Sequence, residues 1–443
     1  MTEPVDIDRL LTDPKTYEDT ILRIFEKKRQ RGSGFDEIDQ GVTYFDAVTN
    51  RVGLSHAIAD CVAAGRYRPH PVDLWVLETN GKQRAAHMPT FVDHVVGSTL
   101  FQLVSQNARC YGLPGVYSYL PGLTNVAAMR GLAEFLRKHR KKAGHHRQPV
   151  YVIQSDFEKY GDNLPVGPAA ALWDVLREVV ALGNPNGVVS QNTWDLITAL
   201  TRPVVRDADG TEFTRLHGVA MGTPLVPILA NLAVVPMDRA VLEIDGIFYA
   251  RYNDDFLIAH PDLAAMHEAD ARIDALLAEL GVKRKLSKER RIALSAPGLP
   301  CADDPAYLGG NRIDSLGLSV TYAGTMSVGP KRLQHLVSQI ATRIDGVAPA
   351  LAPLSLHDRT RQLVLTTNVM LDVTNSFGIP GVPSLLDITT DRGVLKDLDF
   401  RIARKIVQVA TGRTGVRGFR LISPATLHRE FGLVSLVHLR NLR

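Results

Sequence analysis

Three aspartates in this chain have the type and setting for divalent-cation chemistry. Asp156 closes the run QPVYVIQSDF at 148–157, whose β-branched residues read as a buried strand. Asp254 and Asp255 lie in GIFYARYNDDFLIAHP, where apolar arms on either side of a charged turn predict a β-hairpin. Adjacent carboxylates repel one another unless cations sit between them. Magnesium prefers carboxylate oxygens and keeps several of its waters. Two such ions about 3.5–4 Å apart can make a hydroxyl nucleophilic and neutralise a pyrophosphate leaving group. The chemistry to expect is therefore phosphodiester synthesis with two Mg2+ ions, Mn2+ being an alternative. Asn-Asp-Asp alone is also a good turn sequence, so its surroundings must decide.

The elements that would hold these residues follow from periodicity. Residues 5–30 read as one or two amphipathic helices interrupted near Pro14, and RGSGFDEIDQG after them as a loop. A helix at 54–65 ends at YRPHP, and VDLWVLETNGKQRAAHMP is a hairpin turning at Asn80-Gly81. Helices are predicted at 91–108 and 124–142, and mostly helical chain at about 167–201. HGVAMGTPLVPILANLAVVPMDRAV is a glycine loop leading into a helix, and LAAMHEADARIDALLAELG an amphipathic helix closed by Gly281. Residues 315–330 form two short strands around Ala323-Gly324, and helices follow from Pro330. The expected fold class is α+β, an antiparallel sheet backed by helices with a helical appendage.

The chain has 443 residues, 45% hydrophobic and 22% charged, a balance that suits two or three soluble globular units. No apolar run approaches the roughly 20 residues of a membrane span. MTEPVDIDRLL does not read as a signal peptide. The three cysteines, Cys61, Cys110 and Cys301, form no CxxC pair, so neither a zinc site nor a disulfide framework is indicated. A reducing cytoplasm fits. The net charge of +4 is modest but clustered, in RKHRKKAGHHR at 137–147 and VKRKLSKERR at 282–291. From Arg401 to Arg443 eight arginines and one lysine face a single acid, Glu430. Such patches suit a phosphate backbone.

Motif order now becomes informative. RYNDDFLIA resembles the YxDD motif of bacterial reverse transcriptases, and VIQSDFEKYGDNL the motif of their first metal aspartate. HGVAMGTPLVPILANLAVVPMD resembles their GLPQGSPLSPLLANLYL segment, LSKERRIALS their LNxxKT segment, and SLGLSVTYAGTMSVGPKRL their FLGF hairpin and thumb entry. GRYRPHP, NGKQRAAHMPTFVDHVV and VYSYLPGLTNVAAMRGL resemble the finger segments. The matches run in family order over about 65–335, and FRIARKIVQVA…FGLVSLVHLRN resembles a bacterial thumb ending.

The resemblance implies a right-hand polymerase. Residues 1–54 would be an N-terminal helical extension, 55–329 fingers and palm, and 330–443 a basic helical thumb. Asp156, Asp254 and Asp255 would be catalytic and would bind the metals, with the backbone at Phe157 approaching metal and phosphates. Arg84, Lys82, Tyr160, Gly161, Met221, Gly222 and Arg290 would meet the nucleotide. Arg290 stands where LNxxKT has its lysine, a candidate acid toward pyrophosphate. Gly218 and Gly222 would let the chain pass close to template and nucleotide, while Asn231 would brace the palm. Arg401, Arg404, Lys405, Arg413, Arg417 and Arg420 would grip nucleic acid.

Four positions depart from the family pattern. Glu78 stands for a finger lysine, for which Lys82 could substitute. Leu120 stands for the arginine of YRPG, Met221 for the glutamine of PQG, and Gly161 for the aromatic that blocks a ribose 2′-hydroxyl. Without that bulk, discrimination against ribonucleotides should weaken unless Tyr160 swings in. Retron signatures and nuclease-type Cys/His pairs are absent, which leaves the unknown-group, defence-associated reverse transcriptases as the nearest resemblance. That implies a bacterial, cytoplasmic enzyme acting against phage, with dNTPs, an RNA template, a DNA product, and a companion noncoding RNA or second protein as partners. The competing readings are a template-independent or protein-guided DNA polymerase or terminal transferase, an RNA-dependent RNA polymerase, and a catalytically dispensable RNA-binding scaffold.

Overall fold

The computed structural model describes residues 3–39, 41–79, 81–113, 115–142, 148–299, 304–374 and 377–442, except the side chains of Thr79, Lys82 and Arg84. Cys301 and positions 143–147 of the first basic cluster lie outside the described residues. Contacts divide the chain into two compact units, Met1–Asn125 with Val152–Arg290, and Val126–Tyr151 with Arg291–Arg443. The bounds expected from the sequence, 54/55 and 329/330, follow functional parts; the contacts cut the chain elsewhere.

The first unit begins with helices Ile7–Leu11 and Pro14–Gln30, each capped by an aspartate. Asp6 accepts from the Arg9 amide at 3.1 Å and Asp13 from the Lys15 amide at 2.9 Å, and Pro14 occupies the first turn, where a missing N–H costs nothing. Ile7, Leu11, Tyr17 and Ile21 are buried. The Val5 amide binds Asn107 Oδ1 at 2.8 Å, and Asp8 accepts from the Ser190 and Asn184 side chains. The N-terminal helices are thus built into this unit.

Strands Val72–Thr79 and Lys82–Met88 form the expected antiparallel hairpin, with Thr79 opposite Lys82. Two short strands complete its sheet: Val204–Arg206, parallel to the first, and Glu212–Thr214. Val72, Val205 and Ala220 form its small core. The sheet at the candidate site is built from hairpin Phe248–Tyr252 and Asp255–His260, with Val150–Asp156 beside the second strand. Phe256, Leu257, Ile258 and Ala259 are all buried, so this strand is covered on both faces and carries no polar alternation. Helices Val235–Leu242 and Leu263–Glu279 pack on each other and on the hairpin. The single helix expected before the hairpin is two, Val226–Leu232 and Val235–Leu242, because Pro236 lacks the N–H that would continue the first.

In the second unit, strands Arg312–Ser315, Leu318–Thr321 and Met326–Val328 form an antiparallel sheet, and Leu308–Gly310 runs parallel to Arg290–Leu294. Helices Pro330–Leu351, Leu356–Leu371 and Arg392–Thr411 pack together beyond it. The architecture is α+β, with mostly antiparallel sheets and a helical C-terminal region. Among the described residues no helix is long and apolar enough to cross a membrane.

Candidate active site

Asp156 ends strand Val150–Asp156, Asp254 lies on the two-residue turn of the hairpin, and Asp255 opens its second strand. Backbone hydrogen bonds tie these segments together. The Phe157 amide donates to the Asp254 carbonyl at 3.1 Å, and the Lys285 amide to the Asp156 carbonyl at 2.7 Å. Asn253, first of the two turn residues, has φ +60, the left-handed region that asparagine tolerates better than most residues.

The electrostatics follow from crowding. The Asp255 carboxyl is pushed up to about 6, first by burial and then by the charges of Asp254 and Asp156, while Lys288 pulls it down. The Lys288 ammonium bonds Asp156 Oδ2, and that bond raises the lysine above its ordinary value. The cluster therefore calls for positive charge, and a flexible ammonium supplies some. Among the described residues no three His, Cys, Asp or Glu side chains, the three aspartates included, form a group that could hold a metal ion as they stand. The donor set is all-carboxylate and open, which suits an ion that keeps water and substrate ligands, as magnesium does, and not a closed structural zinc site. The Lys288 ammonium marks where a cation is favoured at Asp156.

The other singled-out residues are placed as follows. The Phe157 amide is committed to the Asp254 carbonyl; the ring is buried, 4.8 Å from Tyr160 and 5.4 Å from Phe256 between centroids. Tyr160 is a core residue whose hydroxyl donates to the Ala230 carbonyl at 2.6 Å. It cannot swing toward a nucleotide without stranding that buried acceptor. A Cβ on Gly161 would lie 2.7 Å from Met221 Sδ, so the Met221 thioether fills the space of the missing side chain. Met221 is 40% exposed, and its carbonyl is held by the His87 amide at 2.7 Å and by His87 Nδ1 at 3.2 Å.

Gly218 and Gly222 do permit close approach, but to protein. At φ +79 and +111, added Cβ atoms would meet the Asp162 carbonyl at 2.6 Å and the His87 carbonyl at 2.7 Å. Leu120 is buried in the core, so it is no apolar substitute for a substrate contact. Glu78 is exposed, opposite Gln83. Lys82 and Arg84 stand in their strand opposite Thr79 and Leu77, and their side chains lie outside the described residues. Arg290 is exposed at the start of its strand, and it is Lys288, two residues earlier, that reaches the carboxylates. Sequence reading aligned the motif on Arg290 and passed over the lysine.

The basic clusters are partly structural. Arg284 is buried and paired with Asp270 and Asp274 at 2.7 Å and Glu289 at 3.1 Å. Arg140 donates to the carbonyls of Leu294, Tyr322 and Gln148. In the C-terminal helices Lys405 is held by Asp345 at 2.7 Å and Arg401 by Asp397 at 2.8 Å. Arg404, Arg413, Arg417 and Arg420 are exposed. Tyr119, not foreseen, is 41% exposed at φ +55. Its phenol is raised by burial and then by Tyr252 and Asp254.

No family model and no curated protein matches the sequence. Among solved structures, telomerase from Candida albicans in complex with a TWJ fragment of telomeric RNA aligns at 11% identity and TM-score 0.46, over 86% of this chain and 66% of its own. Apo telomerase from Candida tropicalis, truncated from the C-terminal domain, gives 13%, 0.44, 66% and 62%. An insertion-loop deletion mutant of the RNA-dependent RNA polymerase of a human picobirnavirus gives 13%, 0.44, 84% and 64%. The chain spans a little under two thirds of the length of each. These are likenesses of outline, and the site is read from its own residues.

The raised Asp255 carboxyl has a measurable consequence in the metal-free protein. Its folded value, about 6, lies above the ordinary 3.8, so ionising it costs stability. The cost appears as pH rises from about 4 to 6 and is complete above that. Asp255→Asn should raise the melting midpoint in EDTA at pH 7.5 by a few degrees, with the gain fading toward pH 4.5. A pH-independent difference would show that crowding does not govern this carboxyl.

Proposed function

We propose that this chain is an RNA-directed DNA polymerase with a right-hand architecture, joining nucleotides by two-metal-ion phosphoryl transfer. The observation that carries the reading is the junction of the Asp156 strand with the Asp254–Asp255 turn. It is sealed by the Phe157 amide on the Asp254 carbonyl, and at Asp255 burial together with the charges of Asp254 and Asp156 raises the carboxyl. The order of the surrounding motifs supports it. Bound divalent cations would supply activation of the 3′-hydroxyl and neutralisation of the leaving pyrophosphate. The protein's part is positioning and electrostatics. Asp156 and Asp254 would hold the cations and Asp255 would complete the set. Lys288, which bonds Asp156 from the adjoining short turn, is the cationic side chain at this set. Its ammonium can give up a proton, which the guanidinium of Arg290 does not.

The exposed Arg404, Arg413, Arg417 and Arg420 would hold nucleic acid by its phosphates, without reading sequence. Action against phage in a bacterial cytoplasm, on a dedicated noncoding RNA, is the biological setting the motif pattern favours.

The decisive experiment sequences the nucleic acid that copurifies with the wild type and with Asp254→Asn. A discrete RNA in both, with complementary DNA in the wild type alone, is the expected result. DNA lacking any matching RNA would indicate template-independent synthesis. Phage protection that survives in Asp254→Asn would point to the scaffold reading.

Two further outcomes are expected. With Tyr160 locked and Met221 filling the space at Gly161, the sugar would be screened by one flexible apolar side chain. A pocket of that kind rejects an added hydroxyl by only about 10². Met221→Ala should therefore lower the dNTP over rNTP ratio of kcat/KM below the wild-type value; strong rNTP exclusion in both proteins would remove Met221 from sugar selection. For Arg413, Arg417 and Arg420 replaced together by alanine, the slope of log affinity against log salt should become shallower by about two to three. An unchanged slope would take these arginines off the nucleic acid.

A further inference from the structure

The first unit buries one complete guanidinium. Arg251, in strand Phe248–Tyr252, has no exposed surface, and its partner Asp238 is 1% exposed. All five N–H groups of Arg251 have acceptors. Nε meets Asp238 Oδ1 at 2.8 Å and Nη2 meets Asp238 Oδ2 at 2.6 Å. Nη2 also donates to the Asn231 carbonyl at 2.8 Å, and Nη1 to Asn231 Oδ1 at 3.4 Å and the Asn253 carbonyl at 3.2 Å. Tyr249 adds its hydroxyl to Asp238.

The network ends on the carboxylate turn. Ser118 Oγ donates to Asn231 Oδ1 at 2.8 Å and accepts from the Asn253 amide at 2.8 Å. Asn253 Nδ2 in turn holds Asp254 Oδ1 at 3.0 Å. Three polar groups of the left-handed residue before Asp254 are thus held: the backbone amide by Ser118, the carbonyl by Arg251, and the side-chain Nδ2 by Asp254 itself. A left-handed non-glycine residue is strained and persists where its surroundings over-determine it.

A buried ion pair is a poor way to stabilise a fold, because well-packed apolar residues often do as well or better. We propose that the Asp238–Arg251 pair, relayed through Asn231 and Ser118, is a positioning device that sets the Asn253 turn and with it the aim of Asp254 and Asp255. This deepens the polymerase reading and rests on it. Arg251 and Asp238 are positioning residues, remote from any reacting atom.

The test separates aim from stability, using Mn2+ alone as probe. In Asp238→Leu with Arg251→Met, no charge is left unpaired, and the melting midpoint should return to within a few degrees of the wild type. Mn2+ affinity, followed by electron paramagnetic resonance, should nonetheless fall by at least about tenfold, as loss of outer-shell support typically does. Wild-type Mn2+ affinity in the folded double variant overturns the proposal. Ser118→Ala covers the case in which the double variant does not fold. It removes the one side-chain hydroxyl bound to the Asn253 amide, and should weaken Mn2+ severalfold with little change in midpoint. Unchanged affinity there overturns the proposal as well. Asp254→Asn, measured alongside, isolates the underlying reading. If it binds Mn2+ like the wild type, the carboxylate site itself is wrong. If it loses Mn2+ while the double variant and Ser118→Ala keep it, only the positioning role fails.

Discussion

Three carboxylates held at one place repel one another, and the local design of the first unit follows from resisting that repulsion. Asp156 is fixed by the strand it ends, Asp255 by the ladder it opens, and the two are joined by one amide, that of Phe157, on the carbonyl of Asp254. Burial first, and then the charges of Asp254 and Asp156, push the Asp255 carboxyl up to about 6. Lys288 bonds Asp156 from an adjoining short turn. The lysine supplies the counter-charge that crowded carboxylates call for.

The frame needs close backbone approach, and glycine provides it at two positions. Gly218 rests on the Asp162 carbonyl and Gly222 on the His87 carbonyl. Together with the His87 amide on the Met221 carbonyl, they fasten the loop before helix Val226–Leu232 to the turn after Asp156 and to the Lys82–Met88 strand. The loop brings Met221 over Gly161. Two departures that look independent along the sequence are one local arrangement: the side chain missing at 161 is replaced in space by the one at 221. Whatever passes that point meets a polarisable, flexible thioether in place of a flat ring.

Much of this was legible in advance, for reasons that differ by element. The hairpin 248–260 announced itself through apolar arms and a charged turn, and strand Val150–Asp156 through β-branched residues; both are local patterns. The short strands Val204–Arg206 and Glu212–Thr214 were not legible, since three residues of irregular composition acquire strand geometry only from the hairpin they join. Basic clusters misled where an arginine was buried against acids distant in sequence, as Arg284 is against Asp270 and Asp274. Tyr160 misled for the same reason, because an aromatic near a motif shows its chemistry but not its direction. Lys288 was missed because motif spacing favoured Arg290, while the short helical turn Leu286–Lys288 carries the lysine to the carboxylate.

The buried arginine shows why such a site needs more than its acids. A two-residue turn between strong strands can hold its end residues in register and still let the central peptide rotate. The Asn253 carbonyl, held by Arg251, belongs to that central peptide, and the Asn253 N–H, held by Ser118, to the peptide before it, so the units on both sides of Asn253 are held from different parts of the chain. Arg251 can serve only if its own plane is fixed, which a lone guanidinium in an apolar interior would not be. Asp238 fixes it through two parallel hydrogen bonds, the geometry in which arginine gives direction as well as charge. Lysine at the same position would keep the charge but lose the plane. The cost of burying an ion pair is thus set against angular control of the turn that carries Asp254.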